Sequence, residues 1–435
     1  MKRRIRQLQS EGSPFLWCLS SIALVPLLPE YFAPVLAMMA LFFAAKDARS
    51  RGTVIQTGPL GKLLLLYIAY MAIGISYSAH KLNSLSTVAM WVVMFLLYLS
   101  LTTVLCNRRR LYYALFFVAA VAGVVGFIAC FQYLYRAIFG LAALPNQIWL
   151  PLDELVYKYF PMEINLNMAP HRPASTFTNP NMLAEYLVMV IPVAGYYGFC
   201  GKRTAPHLLV RAFTILTVFG AFVSFSRGAY LALLSMLLLI IVTHLRKLTP
   251  FVMCLIAAVS LIPEAIIGRF LSIGQGDPAI FERFEAWEVA LEAIVRSPLI
   301  GMGPGVSNFW EFLTEMGVNV PHAHNLILQV LVEGGFVALF LLCLVATRLL
   351  QDSLTLLNRS RQAAPIGRVF LMFAVAFIVH GMVDYPFLSP KLVGIFCMVL
   401  GFFDTMAGVY LTNRITPLRK LFDPVKKRFQ KKDTL

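Results

Sequence analysis

Charge is scarce in this chain. Of its 435 residues only 13% are Asp, Glu, Lys or Arg, against 59% hydrophobic. A water-soluble domain carries about twice that share of charge. A soluble globular fold is therefore excluded, and an all-α integral membrane protein is predicted. Acid is scarcer than base, 21 residues against 37, for a net charge of +16. Such an excess could suit nucleic acid, but the basic residues sit in short loops between apolar runs, so no nucleic-acid partner is expected. Cysteine is also sparse. All seven lie within or at the ends of apolar runs, which argues against disulfides and zinc sites and for buried thiols. No small-residue cleavage site follows the first apolar run. The basic start Met1-Lys-Arg-Arg-Ile-Arg6 thus precedes a retained span rather than a cleaved signal peptide. There is no internal repeat and no Asp-x-Asp sequence.

What the chain has in quantity is apolar helix. The hydropathy pattern predicts about twelve transmembrane helices, near 15–28, 31–45, 63–79, 85–106, 112–135, 182–199, 208–225, 229–243, 250–267, 326–347, 369–384 and 391–411. The first two are short for a bilayer core that takes about 20 helical residues. Pro26, Pro29 and Pro34 fall between and within them, which suggests a kinked hairpin. With both termini in the cytoplasm, only nine of the 37 basic residues fall on the far side: Lys81, Arg136, Lys158, Arg172, Arg227, Arg269, Arg283, Arg296 and Lys391. That asymmetry sets orientation by the positive-inside rule. The prediction is one polytopic domain over 1–435, with long outer loops at 136–181 and 268–325. The basic tail beyond Arg414 would lie against anionic lipid headgroups.

The polar residues of interest gather at the outer side. In the second long loop, 281–296 reads as an amphipathic helix, apolar at 281, 284, 287, 291, 294 and 295, with Glu282, Glu285, Glu288 and Glu292 opposite. Such a helix suits a membrane surface or the cap of a bundle. Ser297-Pro298 ends it, and Gly301-Met-Gly-Pro-Gly305 demands irregular backbone. Pro321-His-Ala-His-Asn325 then leads into the next span. Elsewhere Asn179 can cap the sixth span with Pro180 in its first turn, and Glu185 places a costly carboxylate inside the membrane. Arg172 sits just before that cap, and Arg227 sits in the sharp turn between the seventh and eighth spans. His380 and Asp384, four apart, would share one face of the eleventh span. They lack a third ligand for a metal, so no metal site and no cofactor are expected. Each of these residues also has a plain alternative, as helix cap, interfacial cation or structural ion pair.

Taken together, Arg283, Trp287, Ser297-Pro298, Gly301-Met-Gly-Pro-Gly305, His324-Asn325 and Gly335 resemble the signature of the O-antigen ligase and polymerase superfamily of membrane glycosyltransferases. Matching motifs run over 172–384. The family's Gly, Thr or Tyr three residues after the last Gly is replaced by Ala338. The resemblance implies transfer of a glycan from undecaprenyl diphosphate to a lipid A–core acceptor at the periplasmic face of the bacterial inner membrane, metal-independent and inverting. It implies catalytic roles for His324, Arg283 and Arg227. Arg172, Asn179, Glu185, Trp287, His322, Asn325, His380 and Asp384 would contact substrate. A polymerase joining lipid-linked repeat units would use the same residues. A transporter would place ionisable groups near the midplane in matched halves, a pattern this chain lacks.

Overall fold

The computed structural model describes residues 12–140, 148–152, 172–200, 205–242, 278–411 and 415–417. The architecture is helical, with a two-residue antiparallel strand pair, Gln56–Thr57 with Thr416–Pro417. The helices are α1 (Ser13–Leu24), α2 (Ala33–Ser50), α3 (Pro59–Gly74), α4 (Lys81–Val104), α5 (Arg108–Phe139), α6 (Pro180–Cys200), α7 (Ala205–Val223), α8 (Arg227–Val242), α9 (Pro278–Arg296), α10 (Val306–Glu315), α11 (Leu326–Arg359), α12 (Ala364–Gly381) and α13 (Pro390–Gly408). Among the described residues seven helices are long and apolar enough to cross a membrane, among them α4, α5, α6, α11, α12 and α13; α1, α3, α8 and most of α7 are shorter apolar helices. The predicted span at 250–267 lies outside the described residues. The proline-rich opening forms the expected hairpin, α1 packed on α2 around a single turn of 3-10 helix, Glu30–Phe32.

Helix α13 is the central post. It packs on α2, α3, α4 and α6, and 94% of its most apolar window is buried. Where helices cross most closely the residues are glycine. A Cβ on Gly220 of α7 would come within 2.6 Å of the Gly126 Cα in α5, the small-residue contact that lets membrane helices approach. At the basic end of the bundle Asp47 receives Arg110 Nη1 at 2.7 Å and Nη2 at 3.0 Å, and Arg51 Nε at 2.9 Å. Asp404 caps α3 through the Leu60 N–H at 3.0 Å and accepts from the Tyr98 hydroxyl.

At the opposite end the loops join one another. Thr178 and Ser389 both donate to Glu30, and Thr176 donates to the Pro26 carbonyl. Here α11 is broken. Gly335 has φ 63° and ψ −165°, and a Cβ there would run into the Leu299 backbone. Only glycine tolerates that conformation. The 297–305 loop lies in the break. Met302 and Gly303 donate to the carbonyls of Val332 and Glu333, while Phe336 and Val337 donate to those of Pro298 and Leu299. Every backbone group freed by the break at these positions thus finds a partner, as apolar surroundings require. Gly301, Gly303 and Gly305 all have positive φ, in line with the irregular backbone expected of that run.

Candidate active site

Helix α9 forms where the sequence places it, but its faces divide differently from the simple apolar stripe. Small residues, Ala286, Ala290 and Ala293, with Val289 and Ile294, pack into a cluster with α10 and the start of α11. Phe281, Phe284, Leu291 and Val295 stay exposed, an apolar outer surface on a helix that also caps the bundle. Trp287 Nε1 donates to the Ala323 carbonyl at 2.8 Å. This indole, expected to contact substrate, thus holds the 321–325 loop in place.

That loop is pinned from several sides. The Ala323 N–H donates to Gln329 Oε1 at 2.9 Å, and the His324 N–H donates to His322 Nδ1 at 3.0 Å. Asn325 caps α11, accepting from the N–H groups of Ile327 and Leu328, and its amide donates to the Met382 carbonyl. His324 is held at φ 47°, a left-handed conformation that costs a non-glycine residue of order 1–3 kcal/mol and persists only where neighbours enforce it.

His324 faces Asp384, with Nδ1 3.3 Å from Oδ1, and the same oxygen accepts the Tyr385 N–H at 2.9 Å. Burial opposes ionisation of Asp384. The hydrogen bond to His324 and the charges of His324, His322 and Arg283 outweigh it and hold the carboxyl well below the usual carboxylate range. An ionised Asp384 fixes the proton of neutral His324 on Nδ1 and leaves the Nε2 lone pair to take up a proton. His322 lies beside it, ring centroids 4.0 Å apart and planes tilted by 55°. Burial first, then the charge of His324, pushes His322 down to about 3, with Arg283 acting the same way and Asp384 opposing. His322 is therefore neutral at physiological pH. Because its Nδ1 accepts a backbone N–H, its own proton sits on Nε2.

The sequence expectation that His380 and Asp384 share a helix face is corrected here. Helix α12 ends at Gly381, so Asp384 lies in the following loop and turns to His324. His380 turns instead to Glu185 on α6, Nδ1 to Oε1 3.1 Å, both enclosed and not aligned as a hydrogen bond. The third ligand missing from the His380–Asp384 pair is also supplied, around different residues. His322, His324 and Asp384 present donor atoms all within 4.8 Å of one another. That size suits a divalent cation, but the hydrogen bonds oppose it. The His322 lone pair is taken by the His324 N–H and its other nitrogen carries the proton, so ligation by His322 would break the bond that supports the His324 conformation.

Around this cluster stand the arginines. Arg283, half-buried on α9, acts electrostatically on both His322 and Asp384. Arg227 opens α8, and its neighbour Gly228 lies against the 380–383 segment, where a Cβ would meet Val383 Cγ2 at 2.8 Å and His380 Nε2 at 3.0 Å. Arg172 braces that corner. Its Nε donates to the Ser224 carbonyl at 2.9 Å and its Nη2 to Asn181 Oδ1 at 2.6 Å, while Asn179 caps α6 by accepting the Asn181 N–H. The structure thus gathers His322, His324, Asp384 and Arg283 in one cluster and sets Glu185 and His380 beside it, with Gly228, next to Arg227, against His380. Arg172, Asn179, Trp287 and Asn325 hold the surrounding backbone.

Sequence reasoning gave no role to Gln329, Glu333 or Tyr385. Glu333 Oε1 accepts from Gln329 Nε2 at 2.9 Å and from the Tyr385 hydroxyl at 3.0 Å, and Oε2 accepts the Gly305 N–H at 3.2 Å. The signal was present. Asn325, Gln329 and Glu333 repeat at four-residue spacing on an otherwise apolar helix.

Fold and site together define a multi-pass helical membrane protein with an oriented His–Asp pair and arginines at one end. Residues 212–343 match the family model described as O-antigen ligase. The chain is also 25% identical, over 336 residues, to a general O-oligosaccharyltransferase of Acinetobacter baylyi, covering 70% of this chain and 53% of that protein. The chain spans about half the length of this curated relative. Both findings support the O-antigen ligase superfamily, and the matched region carries Arg227, Arg283 and His324.

Proposed function

We propose that the protein is a glycosyltransferase of the O-antigen ligase type. It moves a glycan from undecaprenyl diphosphate to a hydroxyl of lipid A–core, at the periplasmic face of the bacterial inner membrane, with both termini cytoplasmic. The observation that carries the reading is the His324–Asp384 pair beside Arg283. The acceptor oxygen attacks the anomeric carbon as the bond from that carbon to the diphosphate oxygen breaks. The acceptor proton passes to His324 Nε2, and Asp384 steadies the resulting imidazolium. Undecaprenyl diphosphate leaves as an anion. Arg283 and Arg227 bind it, since a guanidinium is always charged and its planar fork matches phosphate oxygens. Arginines in this role need no divalent metal. A single displacement inverts the anomeric centre. The relative's name, an O-oligosaccharyltransferase, describes formation of the same kind of glycosidic bond to oxygen.

The test offers the purified chain a lipid-linked glycan with one of two acceptors, lipid A–core or a second lipid-linked glycan. Transfer to lipid A–core, with inverted anomeric configuration and undiminished by EDTA, is expected. Transfer to the lipid-linked acceptor alone would make the protein a polymerase, and transfer to neither would end the transferase reading.

A further inference from the structure

The polar stripe on α11 ties the loops of the site to one helix. Asn325 reaches Met382, Gln329 reaches Ala323, and Glu333 reaches both Tyr385 and Gly305. These bonds close a ring. Asp384 Oδ1 accepts the Tyr385 N–H; the Tyr385 hydroxyl donates to Glu333 Oε1; Gln329 Nε2 donates to that same oxygen; and Gln329 Oε1 accepts the N–H of Ala323, the residue before His324. The ring ends where it began, at the 3.3 Å approach of His324 to Asp384. We infer that Gln329, Glu333 and Tyr385 are positioning residues, which set the base against the carboxylate that orients it without touching substrate.

Burial makes the arrangement informative. Gln329 is fully enclosed and Glu333 is 3% exposed. A buried amide and carboxylate are costly unless their hydrogen bonds are made, and an apolar side chain would fill the same space without that cost. What an apolar side chain lacks is direction. The two loops carrying His324 and Asp384 are separated by 60 positions in sequence and come from different helix ends. They meet on one rigid helix, through a single carboxylate oxygen. Such a ring suits a pair whose function depends on alignment, where an error of about 1 Å can cost a hundredfold in rate.

The test uses the full-length chain carrying Gln329→Met, Tyr385→Phe or Glu333→Gln, each close in shape to the original. Three readouts are taken: thermal stability, kcat and KM for glycan transfer, and the rate at which diethyl pyrocarbonate modifies His324, followed by mass spectrometry without substrate. Tyr385→Phe is expected to lower kcat about tenfold or more with KM changed by less than about twofold, and to alter the modification rate of His324. Combined with Asp384→Asn it adds less than about a further twofold loss, because both changes act through one group. Losses that multiply in the double variant overturn the proposal. So does a drop in melting temperature with unchanged His324 reactivity, the mark of a merely structural role. The kinetic arm rests on the transferase reading. If the wild-type chain transfers nothing, that reading fails alone, and the modification rates still decide the positioning role: altered rates support it and unaltered rates overturn it. Should Glu333→Gln fail to fold, Gln329→Met and Tyr385→Phe carry the same comparison.

Discussion

At the scale of single residues the account turns on what each group can donate or accept. Arg283 is assigned to the leaving diphosphate through the planar fork of its guanidinium. Arg283→Lys keeps the charge and loses the fork, so transfer is expected to fall by about tenfold or more in kcat/KM, measured with purified protein. His322 makes a prediction of a different kind. Its folded pKa, about 3, lies below its unfolded value of 6.5. A base of this kind binds fewer protons folded than unfolded between those values, so its contribution to stability is complete above 6.5 and declines as the pH falls towards 3. Asp384 acts in the same direction, its contribution lost below the ordinary carboxylate range. Protection of the backbone amides of residues 322–325, with the intrinsic pH dependence of exchange divided out, is therefore expected to weaken from pH 7 to pH 5. The His322→Gln variant, which keeps an acceptor for the His324 N–H, should lose most of that dependence. The sequence made His324 and Arg283 legible because spacing and residue type carry them. It hid the partner of His324, because a helix ending at Gly381 rather than 384 is decided by packing and not by hydropathy.

At the scale of elements, the break in α11 and the glycine loop within it are one construction. Gly335→Ala would force a Cβ into the Leu299 backbone at a positive φ. It is expected to destabilise the protein by at least about 1–3 kcal/mol and to lower its melting temperature by a clear margin. At the other end of the bundle, Asp47→Ala strands the buried Arg110 guanidinium. Leaving one partner of a buried pair uncompensated costs about 3–5 kcal/mol, so thermal unfolding should shift strongly while transfer at the remaining folded fraction stays near wild type. The run Gly301-Met-Gly-Pro-Gly305 announced irregular backbone from sequence alone. That it would lie against Val332–Val337 could not be read there, since those contacts are backbone to backbone and leave no trace in residue type. The amphipathic helix shows the opposite limit: its period was legible, but its buried face is chosen by alanines that allow close approach rather than by the largest apolar side chains.

At the scale of the whole molecule, the apolar runs of the sequence form helices wherever the described residues cover them, because long apolar runs have few other fates. Their number is a separate matter: among the described residues seven helices meet the length and hydropathy expected of a span, and shorter apolar ones pack with them. Hydropathy could not bring Arg283, His324 and Asp384 together. Arg283 stands on α9, His324 in the loop before α11 and Asp384 in the loop after α12, and only tertiary packing joins them. The orientation inferred from basic residues puts that cluster outside the cytoplasm, and cysteine introduced at position 307 in a cysteine-free background should react with an impermeant maleimide added from the periplasmic side. The central claim, that an Asp384-oriented His324 takes the acceptor proton while arginine holds the departing diphosphate, is tested most directly by one rate. Glycan transfer from lipid-linked donor to lipid A–core should fall by about 10²–10⁴-fold in His324→Ala at equal folded protein; transfer at the wild-type rate would contradict the account.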